Sequence, residues 1–287
     1  MTDGDKKPTK ITQPMKAHFG FTRLPFSKQT WAKNMFDSRS QRELLDGLRL
    51  WTEVRGVALV TGHPGVGKSI TLRRFCHELD DSRFRLLDFS YLPNTVTGFL
   101  RSLGRLLGLP MRQHASDLFD DAQKHLACYE KEHGPHPVLV LDDAEGLSAP
   151  VLDVLRRLTC YDLDAEDRFS LLIAGTDELL ATLRHPAIAS LRSRIGYALV
   201  LKPFGVIDVR EYVLYHLHYA GVDPKLFADD AIQKIFQSSQ GIPRNVNQLA
   251  IQALIEAAVD GRNKIDGKAM ARTIANHPLY QSPGGEA

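Results

Sequence analysis

The feature that most constrains this chain of 287 residues is a glycine-rich run, Gly-His-Pro-Gly-Val-Gly-Lys-Ser, at positions 62–69. It follows an apolar stretch, Val57–Thr61, and precedes a segment whose apolar residues recur at helical spacing. A strand that turns into a helix through such a run is typical of the GxxxxGK[ST] phosphate-binding loop. A glycine-rich surface turn with a surface lysine is the alternative, and both flanking segments argue against it.

The chemistry of this loop follows from its residue types. Its glycines let backbone N–H groups surround a polyphosphate, and the helix that follows points its positive end at the same place. Lys68 is predicted to reach the β- and γ-phosphates, and the Ser69 hydroxyl is predicted to ligate Mg²⁺. The residues expected to bind the nucleotide here are Gly62, His63, Pro64, Gly65, Val66, Gly67, Lys68, Ser69 and Ile70.

Composition indicates the cellular compartment of the protein but does not identify a binding partner. The formal net charge is +2, so nothing global requires binding to nucleic acid. Three widely spaced cysteines, Cys76, Cys128 and Cys160, indicate a reducing compartment and buried thiols, not disulfides or a zinc site. No apolar run approaches the length of about 18 residues that a membrane span needs, and the polar N-terminus does not resemble a secretory signal. We therefore expect a cytoplasmic protein without a membrane partner.

Strands and helices alternate from residue 39 onward, which predicts an α/β domain with a parallel sheet covered by helices. After Pro203 only helical periodicity is found, which predicts a small all-helical domain. We expect an N-terminal segment at 1–38, of which Met1–Met15 is a disordered arm, then domains at 39–203 and 204–278 and a flexible tail at 279–287. The expected strands are Val57–Thr61, Phe84–Phe89, Val138–Leu141, Ser170–Ala174 and Ala198–Leu201.

A second motif completes the predicted nucleotide site. Val138–Leu141 is an apolar strand that ends in two carboxylates, Asp142 and Asp143, as in a Walker B motif. Asp142 is predicted to hold Mg²⁺ through its water shell, because Mg²⁺ prefers oxygen ligands and keeps several waters. A buried strand with a solvated acidic end is the alternative. The phosphate-binding loop about 75 residues upstream favours the functional interpretation.

Two carboxylates are candidates for orienting the attacking water. Hydrolytic members of this class usually carry Glu where this chain has Asp143. Asp is one methylene shorter, and small misplacements of a catalytic group can cost about 100-fold in rate. Side chains alternate along an extended strand, so Asp143 and Glu145 are predicted to share a side. Glu145 could then act in place of Asp143. We expect slow ATP hydrolysis that depends on one of the two.

Three further positions are candidates for contact with the γ-phosphate. Thr176 follows an apolar strand and is either a phosphate sensor or a helix cap before Asp177. Arg194, or its neighbour Arg192, precedes the last strand and could reach the nucleotide of an adjacent subunit; a surface basic pair is the alternative. Arg244 follows Gly-Ile-Pro at the start of a helix and is predicted to close the helical domain onto the phosphates.

Taken in order, GHPGVGKS, VLVLDD, AGTDEL, SRI and GIPR resemble the motifs of an AAA+ ATPase. The opening FGF…LPF and the GIPR block are most similar to the ATPase domain of the general-secretion-pathway ExeA family. That family shades into the transposition helper ATPases TniB, IstB, TnsC and Mu B protein. The resemblance spans Phe19 to Asn276. It implies a P-loop NTPase fold with a five-stranded parallel sheet and a helical lid, ATP and Mg²⁺ as ligands, the 1–38 segment on the adenine side, and homo-oligomeric rings or filaments.

Among the functions that this resemblance implies, we favour the transposition helper, which binds double-stranded DNA with ATP and delivers it to a transposase. Secretion ATPases of the family usually continue into a membrane span and a cell-wall-binding region; the given sequence stops after the expected lid, so we expect the secretion role to lack its anchor. A secretion-type motor and a nucleotide-switched protein scaffold that does not bind DNA remain alternatives. The candidate DNA contacts, by similarity to related helpers, are Asn94, Thr95, Thr97, Arg101 and Arg105; a solvated helix face is the alternative interpretation.

Overall fold

The computed structural model describes residues 12–27, 35–160 and 167–280. The chain divides into two compact units. One consists of residues Arg39–Lys202, and the other combines Met1–Ser38 with Pro203–Ala287. We describe each unit by itself.

The unit Arg39–Lys202 is built on a parallel sheet of five strands in the order β2-β3-β4-β1-β5. This confirms the predicted fold class, an α/β P-loop fold with a five-stranded parallel sheet. Strands β1, β3 and β4 are buried along their whole length, as expected of parallel strands with both faces covered. The strands are β1 (Val57–Thr61), β2 (Phe84–Asp88), β3 (His136–Leu141), β4 (Ser170–Gly175) and β5 (Ile195–Val200).

Among the described residues 39–160 and 167–202, seven α-helices connect and cover the strands. Their apolar faces form a continuous core with the sheet, in which Leu139 and Ile173 are fully buried together with Leu152 and Leu155. The helices are α2 (Arg39–Val54), α3 (Lys68–Glu78), α4 (Val96–Leu106), α5 (Ala115–His133), α6 (Ala149–Thr159), α7 (Asp177–Arg184) and α8 (Ala189–Arg192).

Two strands begin earlier than their apolar runs predicted. Strand β3 starts at His136, which is buried because Glu130 and Ser170 hydrogen-bond its two ring nitrogens at 3.1 and 3.0 Å. Strand β5 starts at Ile195, and it lies at the edge of the sheet, where no residue of the strand is fully buried. A polar residue satisfied by distant partners and a half-exposed edge strand both weaken the local apolar signal.

In the described residues of the second unit, helices are the regular elements, together with one isolated parallel bridge between Phe227 and Ile265. Its helices are α1 (Thr12–Phe19), α9 (Val206–Tyr219), α10 (Asp229–Ser239), α11 (Pro243–Val259) and α12 (Gly267–Asn276). Helix α1 differs from the prediction of a disordered arm through Met15, because Met15 and Phe19 pack against the apolar core of this unit. Residues 1–11 and 281–287 lie outside the described residues. Of the expected tail, Tyr280 is held by a hydrogen bond from its hydroxyl to Gln248 Oε1 at 2.8 Å.

The cysteines differ in part from the expectation of buried thiols. All three are free, Cys76 and Cys160 are half-buried, and Cys128 is exposed on α5. Burial raises the pKa of the Cys76 thiol to about 12, so this group stays protonated at neutral pH. Cys128 is the thiol that solvent reaches.

A close backbone contact fixes the turn before α11. Gly241 has φ +71°, and a Cβ atom there would overlap the backbone carbonyl oxygen of Phe204. The two residues are also joined by a hydrogen bond from Phe204 N–H to the Gly241 carbonyl at 2.8 Å. Only glycine therefore fits between Gln240 and Ile242.

We expect Gly241→Ala to lower the free energy of unfolding by about 3 kcal/mol, through left-handed backbone strain and the forced backbone shift. Gly261→Ala is the matched control, because Gly261 has φ +67° and open space around it. It should cost only about 1 kcal/mol. Urea unfolding of the two variants measures the difference, and equal losses would contradict the close-contact explanation.

A buried histidine ties the N-terminal segment to α9. His216 is 4% exposed, and its Nδ1 accepts the backbone N–H of Phe26 at 3.3 Å. The Phe26 ring packs against the imidazole with a centroid distance of 4.9 Å. Burial lowers the pKa of His216 to about 4, so the neutral ring that accepts this hydrogen bond is the form present in the folded protein.

Since an unfolded histidine titrates near pH 6.5, the folded state binds fewer protons between that pH and about pH 4. Stability from this group is complete above about pH 6.5 and falls by about 3 kcal/mol as the pH drops to about 4. Unfolding measured against pH should show a shallower acid loss in His216→Phe. His218→Phe, at an exposed position of the same helix, should keep the wild-type slope.

Candidate nucleotide-binding site

The phosphate-binding loop closes around the ammonium of Lys68, which is 6% exposed. Lys68 Nζ donates hydrogen bonds to the carbonyl oxygens of Gly62 at 2.8 Å and His63 at 3.4 Å. Val66 N–H bonds to the His63 carbonyl at 3.2 Å, and Thr71 Oγ1 bonds to the Gly67 carbonyl at 2.9 Å. The loop is therefore held in a closed turn at the junction of β1 and α3.

Two opposing effects act on the pKa of Lys68. Burial lowers the pKa of its ammonium, while the surrounding carboxylates act in the opposite direction. A polyphosphate placed at this point would meet several negative side chains and one positive one, so a divalent cation is needed to balance the charge. The carboxylates, in order of decreasing effect, belong to Glu145, Asp142, Asp143 and Asp177.

Two oxygen donors meet where that cation is expected. The Ser69 hydroxyl, in the first turn of α3, lies near the Asp142 carboxylate, which follows β3. Burial raises the pKa of Asp142, and the nearby Ser69 hydroxyl and the Asp143 N–H, which donates to Asp142 Oδ1 at 3.0 Å, oppose that rise. A hydroxyl beside a partly desolvated carboxylate fits the hard oxygen ligands that Mg²⁺ requires.

The prediction that Asp143 and Glu145 share one side of an extended strand is wrong. Strand β3 ends at Leu141, Asp143 adopts a left-handed backbone with φ +55°, and a 3-10 turn covers Ala144–Gly146. The turn leaves Asp143 exposed and directs Glu145 inward. Alternation does not apply to this segment because its backbone is no longer extended.

The side chain of Glu145 is held by strand β4. Its Oε2 accepts the backbone N–H of Thr176 at 3.3 Å and lies 2.8 Å from the position that a Cβ of Gly175 would occupy. The absence of a side chain at Gly175 therefore makes room for the carboxylate. The other oxygen, Oε1, forms no hydrogen bond within the described ranges 12–27, 35–160 and 167–280.

Thr176 is the N-cap residue of α7 and follows directly after β4, the strand that lies between β1 and β3 in the sheet. Its side chain forms no capping hydrogen bond, and the residue is buried. The interpretation of Thr176 as a side-chain helix cap is therefore not realised in the structure. The order of the strands brings Thr176 between the phosphate-binding loop and Asp142.

Two residues near the site were missed by sequence reasoning. Asp88 ends β2 beside β3, and burial together with the charge of Asp142 raises its pKa. Gln41 in α2 is buried, with its Nε2 atom 3.2 Å from the position that a Cβ of Gly67 would occupy. A carboxylate at the end of an apolar strand was a usable signal for Asp88. A single glutamine in an amphipathic helix gave none for Gln41.

The three predicted arginines are placed differently from one another. Arg192 donates from one guanidinium nitrogen to the carbonyl oxygens of Leu183 at 3.2 Å and Arg184 at 2.9 Å, so it caps the end of α7. Arg194 is half-buried just before β5. Arg244 is exposed at the second position of α11, in the other unit.

The candidate DNA contacts lie on α4 and in the two residues before it. Thr97, Arg101 and Arg105 are spaced four residues apart, and both arginines are exposed. Neither arginine forms an ion pair with any residue that the structure describes. The opposite side of α4 buries Phe99, Leu100 and Leu103 in the core. We call Asn94, Thr95, Thr97, Arg101 and Arg105 the α4 stripe.

Neither a self-contained metal cluster nor a membrane-spanning helix is found in the part of the chain that the structure describes. Within the described residues, no group of three or more His, Cys, Asp or Glu side chains is arranged to hold a metal ion by itself. In the same part of the chain, no helix is long and apolar enough to cross a membrane.

Comparisons with known proteins agree with this geometry. Residues 52–183 match the AAA domain family. The chain is 30% identical over 253 residues to General secretion pathway protein A of Aeromonas hydrophila, a match that covers 86% of this chain and 45% of that protein. The chain thus spans less than half the length of this relative.

Solved structures with low sequence identity share the fold. Cdc6p of Pyrobaculum aerophilum aligns with a TM-score of 0.62 at 21% identity, covering 84% of this chain and 67% of that one. ORC2 of Aeropyrum pernix aligns with a TM-score of 0.65 at 14% identity, covering 90% and 72%. RuvB of Thermotoga maritima aligns with a TM-score of 0.56 at 18% identity, covering 87% and 72%. The fold is therefore that of AAA+ P-loop proteins.

Proposed function

We propose that this protein is an ATP-dependent switch that binds ATP with Mg²⁺ and hydrolyses it slowly. The observation that carries the proposal is the arrangement at the carboxyl ends of β1, β3 and β4. There the loop around Lys68, the oxygen pair of Ser69 and Asp142, and the oriented carboxylate of Glu145 come together. This set supplies phosphate binding, metal binding and orientation of water in one place.

Each side chain has a role in this scheme. Lys68 exchanges its hydrogen bonds to the Gly62 and His63 carbonyls for bonds to phosphate oxygens, which hold it more strongly because they are charged. Ser69 and Asp142 would hold the Mg²⁺, whose chemistry is to neutralise charge on the phosphates. Glu145 accepts a hydrogen bond from the attacking water at Oε1, while Thr176 N–H fixes its other oxygen.

The proposal extends to the γ-phosphate sensors and to assembly. Arg194, which lies just before β5, is proposed to contact the nucleotide of a neighbouring subunit, and Arg192 is held by the carbonyl oxygens at the end of α7. Thr176 and Arg244 are proposed to sense the γ-phosphate within one subunit. Assembly into rings or filaments would then depend on bound ATP, because the nucleotide completes the contact between subunits.

We further propose that the ATP-bound state binds double-stranded DNA through the α4 stripe. Exposed arginines without an acidic partner keep their full charge for phosphate oxygens, and the helical spacing of Thr97, Arg101 and Arg105 aligns them along one side. Thr95 Oγ1 accepts the N–H of Gly98 at 3.3 Å, which fixes the start of the helix. Phosphate contacts of this kind bind DNA without reading its sequence.

We expect the double variant Arg101→Ala/Arg105→Ala to weaken ATP-dependent binding of random duplex DNA by about tenfold or more and to reduce the salt dependence of that binding by about two ions. Gel retardation across a salt series measures both quantities. The control is Arg112→Ala, since Arg112 pairs with Asp121 at 2.8 Å. Equal DNA affinity in the double variant and the control would contradict the proposal that the α4 stripe binds DNA.

Delivery of bound DNA to a transposase remains our proposal for the cellular role, on the sequence resemblance to the helper ATPases. The similarity to General secretion pathway protein A favours a second candidate, a secretion-type ATPase. The two differ in one measurement. The helper role requires DNA retardation that appears with ATP, whereas ATP-driven assembly without any DNA shift would favour the secretion-type ATPase or a protein scaffold.

A further inference from the structure

A serine at the start of α6 does not form the hydrogen bond expected of it. Ser148 is the N-cap residue of α6, where a serine hydroxyl normally accepts a backbone N–H from the first turn. Here the side chain forms no capping bond. Its hydroxyl instead donates to the backbone carbonyl of Asn94 at 2.6 Å, across 54 positions of sequence.

The two segments joined by this hydrogen bond belong to different sites. Asn94 lies in the loop between β2 and α4 and begins the α4 stripe. Ser148 follows the 3-10 turn Ala144–Gly146, which carries Glu145. The hydrogen bond therefore links the proposed DNA-binding helix to the turn that positions the water-orienting carboxylate.

The loop between β2 and α4 is also part of the wall of a cavity of about 720 Å³ in the same unit. Ser90 and Tyr91 line it from the loop, and Ser69, Asp142 and Asp143 line it from the nucleotide site. Because open space separates these walls, side chains of the loop are not packed against the nucleotide site. The hydrogen bond from Ser148 joins Asn94, at the end of the loop, to the segment that follows the 3-10 turn.

The loop is packed onto α4. The Phe89 ring, at the start of the loop, stacks on Phe99 of α4 with a centroid distance of 5.2 Å and an interplanar angle of 15°. Thr95 caps the same helix. A shift of α4 on a bound ligand would therefore displace Asn94, and through Ser148 the displacement reaches the turn that carries Glu145.

We propose that Ser148 is a positioning residue that couples the nucleotide state of the site to the α4 stripe through its hydrogen bond to Asn94. For the DNA arm, this inference rests on the proposed function of the stripe. The coupling is reciprocal by thermodynamic linkage. If ATP strengthens DNA binding by some factor, DNA strengthens ATP binding by the same factor, and both effects need the Ser148 hydroxyl.

The test compares the full-length wild type with Ser148→Ala and Ser148→Thr. We expect the wild type to bind duplex DNA at least about fivefold more tightly with ATP than with ADP, and Ser148→Ala to show a ratio near one. Its basal ATP turnover and its DNA affinity with ADP should stay within about twofold of wild type, since no capping bond is lost. Ser148→Thr, which keeps the hydroxyl, should restore the ratio. Ser82→Ala, which removes a serine hydroxyl bonded to Asp80 in the same unit, should keep the wild-type ratio.

A second measurement does not depend on DNA. Hydrogen exchange of the amides in residues 89–95 should differ between ATP and ADP in the wild type and in Ser148→Thr, and not in Ser148→Ala. No nucleotide response in the wild-type loop, or an equal response in Ser148→Ala, would overturn the inference. If the wild type fails to bind DNA while its loop responds to nucleotide through Ser148, the DNA-binding proposal fails and the coupling stands.

Discussion

Replacing Lys68 with alanine should weaken ATP binding by about 100-fold, because a charge-assisted hydrogen bond to phosphate is worth about 1.5–3 kcal/mol. The residue is buried, and its ammonium already bonds to the loop carbonyls of Gly62 and His63. The Lys68 ammonium is thus placed where charged phosphate oxygens can replace the neutral carbonyl oxygens as its hydrogen-bond acceptors. Isothermal titration with ATP and Mg²⁺ measures the effect, and ATP-dependent assembly and DNA binding should be lost with it.

Lys131→Ala is the matched control for this loss. Lys131 is an exposed lysine of α5 in the same unit, so the change in net charge is the same. It should leave ATP affinity unchanged. The thermal unfolding midpoint of both variants checks that each is folded. An unaltered ATP dissociation constant in Lys68→Ala would contradict the assignment of the nucleotide site, and with it the proposed switch.

The second large effect concerns the carboxylate that orients water. We expect Glu145→Gln to lower the turnover of ATP by about 100-fold, the usual contribution of a general base, with little change in ATP affinity. Glutamine keeps an oxygen to accept the Thr176 N–H, so the variant removes the charge and preserves the position. Steady-state phosphate release and ATP titration separate the two quantities.

Asp143→Asn should lower turnover by less than about tenfold, because Asp143 is exposed on a left-handed turn and its charge is screened by solvent. Glu178→Gln, an exposed carboxylate of α7, controls for the loss of one negative charge. A larger loss in Asp143→Asn than in Glu145→Gln would reverse the assignment. No loss in either variant would remove both from the mechanism.

The parts of the site that could be predicted from sequence are those formed by residues adjacent in the chain. The loop at 62–69, the strand before it and the acidic end of β3 are contiguous motifs, and the structure brings them together because parallel strands end at one edge of the sheet. Glu145 was named for a reason that proved incorrect. Its inward direction comes from the 3-10 turn and from the backbone of Thr176, which is 31 positions away.

Long-range packing accounts for the other differences. His136 enters a buried strand because Glu130 and Ser170 satisfy its ring nitrogens. Helix α1 forms where a disordered arm was expected because Met15 and Phe19 find apolar partners far along the chain. Ser170, and the helices against which α1 packs, lie outside a sequence window around these residues.

The sequence by itself determined the fold class and the phosphate-binding loop, because periodic burial and a glycine-rich turn are properties of adjacent residues. Only the tertiary structure decided which carboxylate faces the buried lysine, which arginine is engaged by a helix end, and that Ser148 bonds to Asn94 in place of its own helix. These depend on where turns direct side chains after each strand ends. Such directions follow from contacts between segments that are distant along the chain.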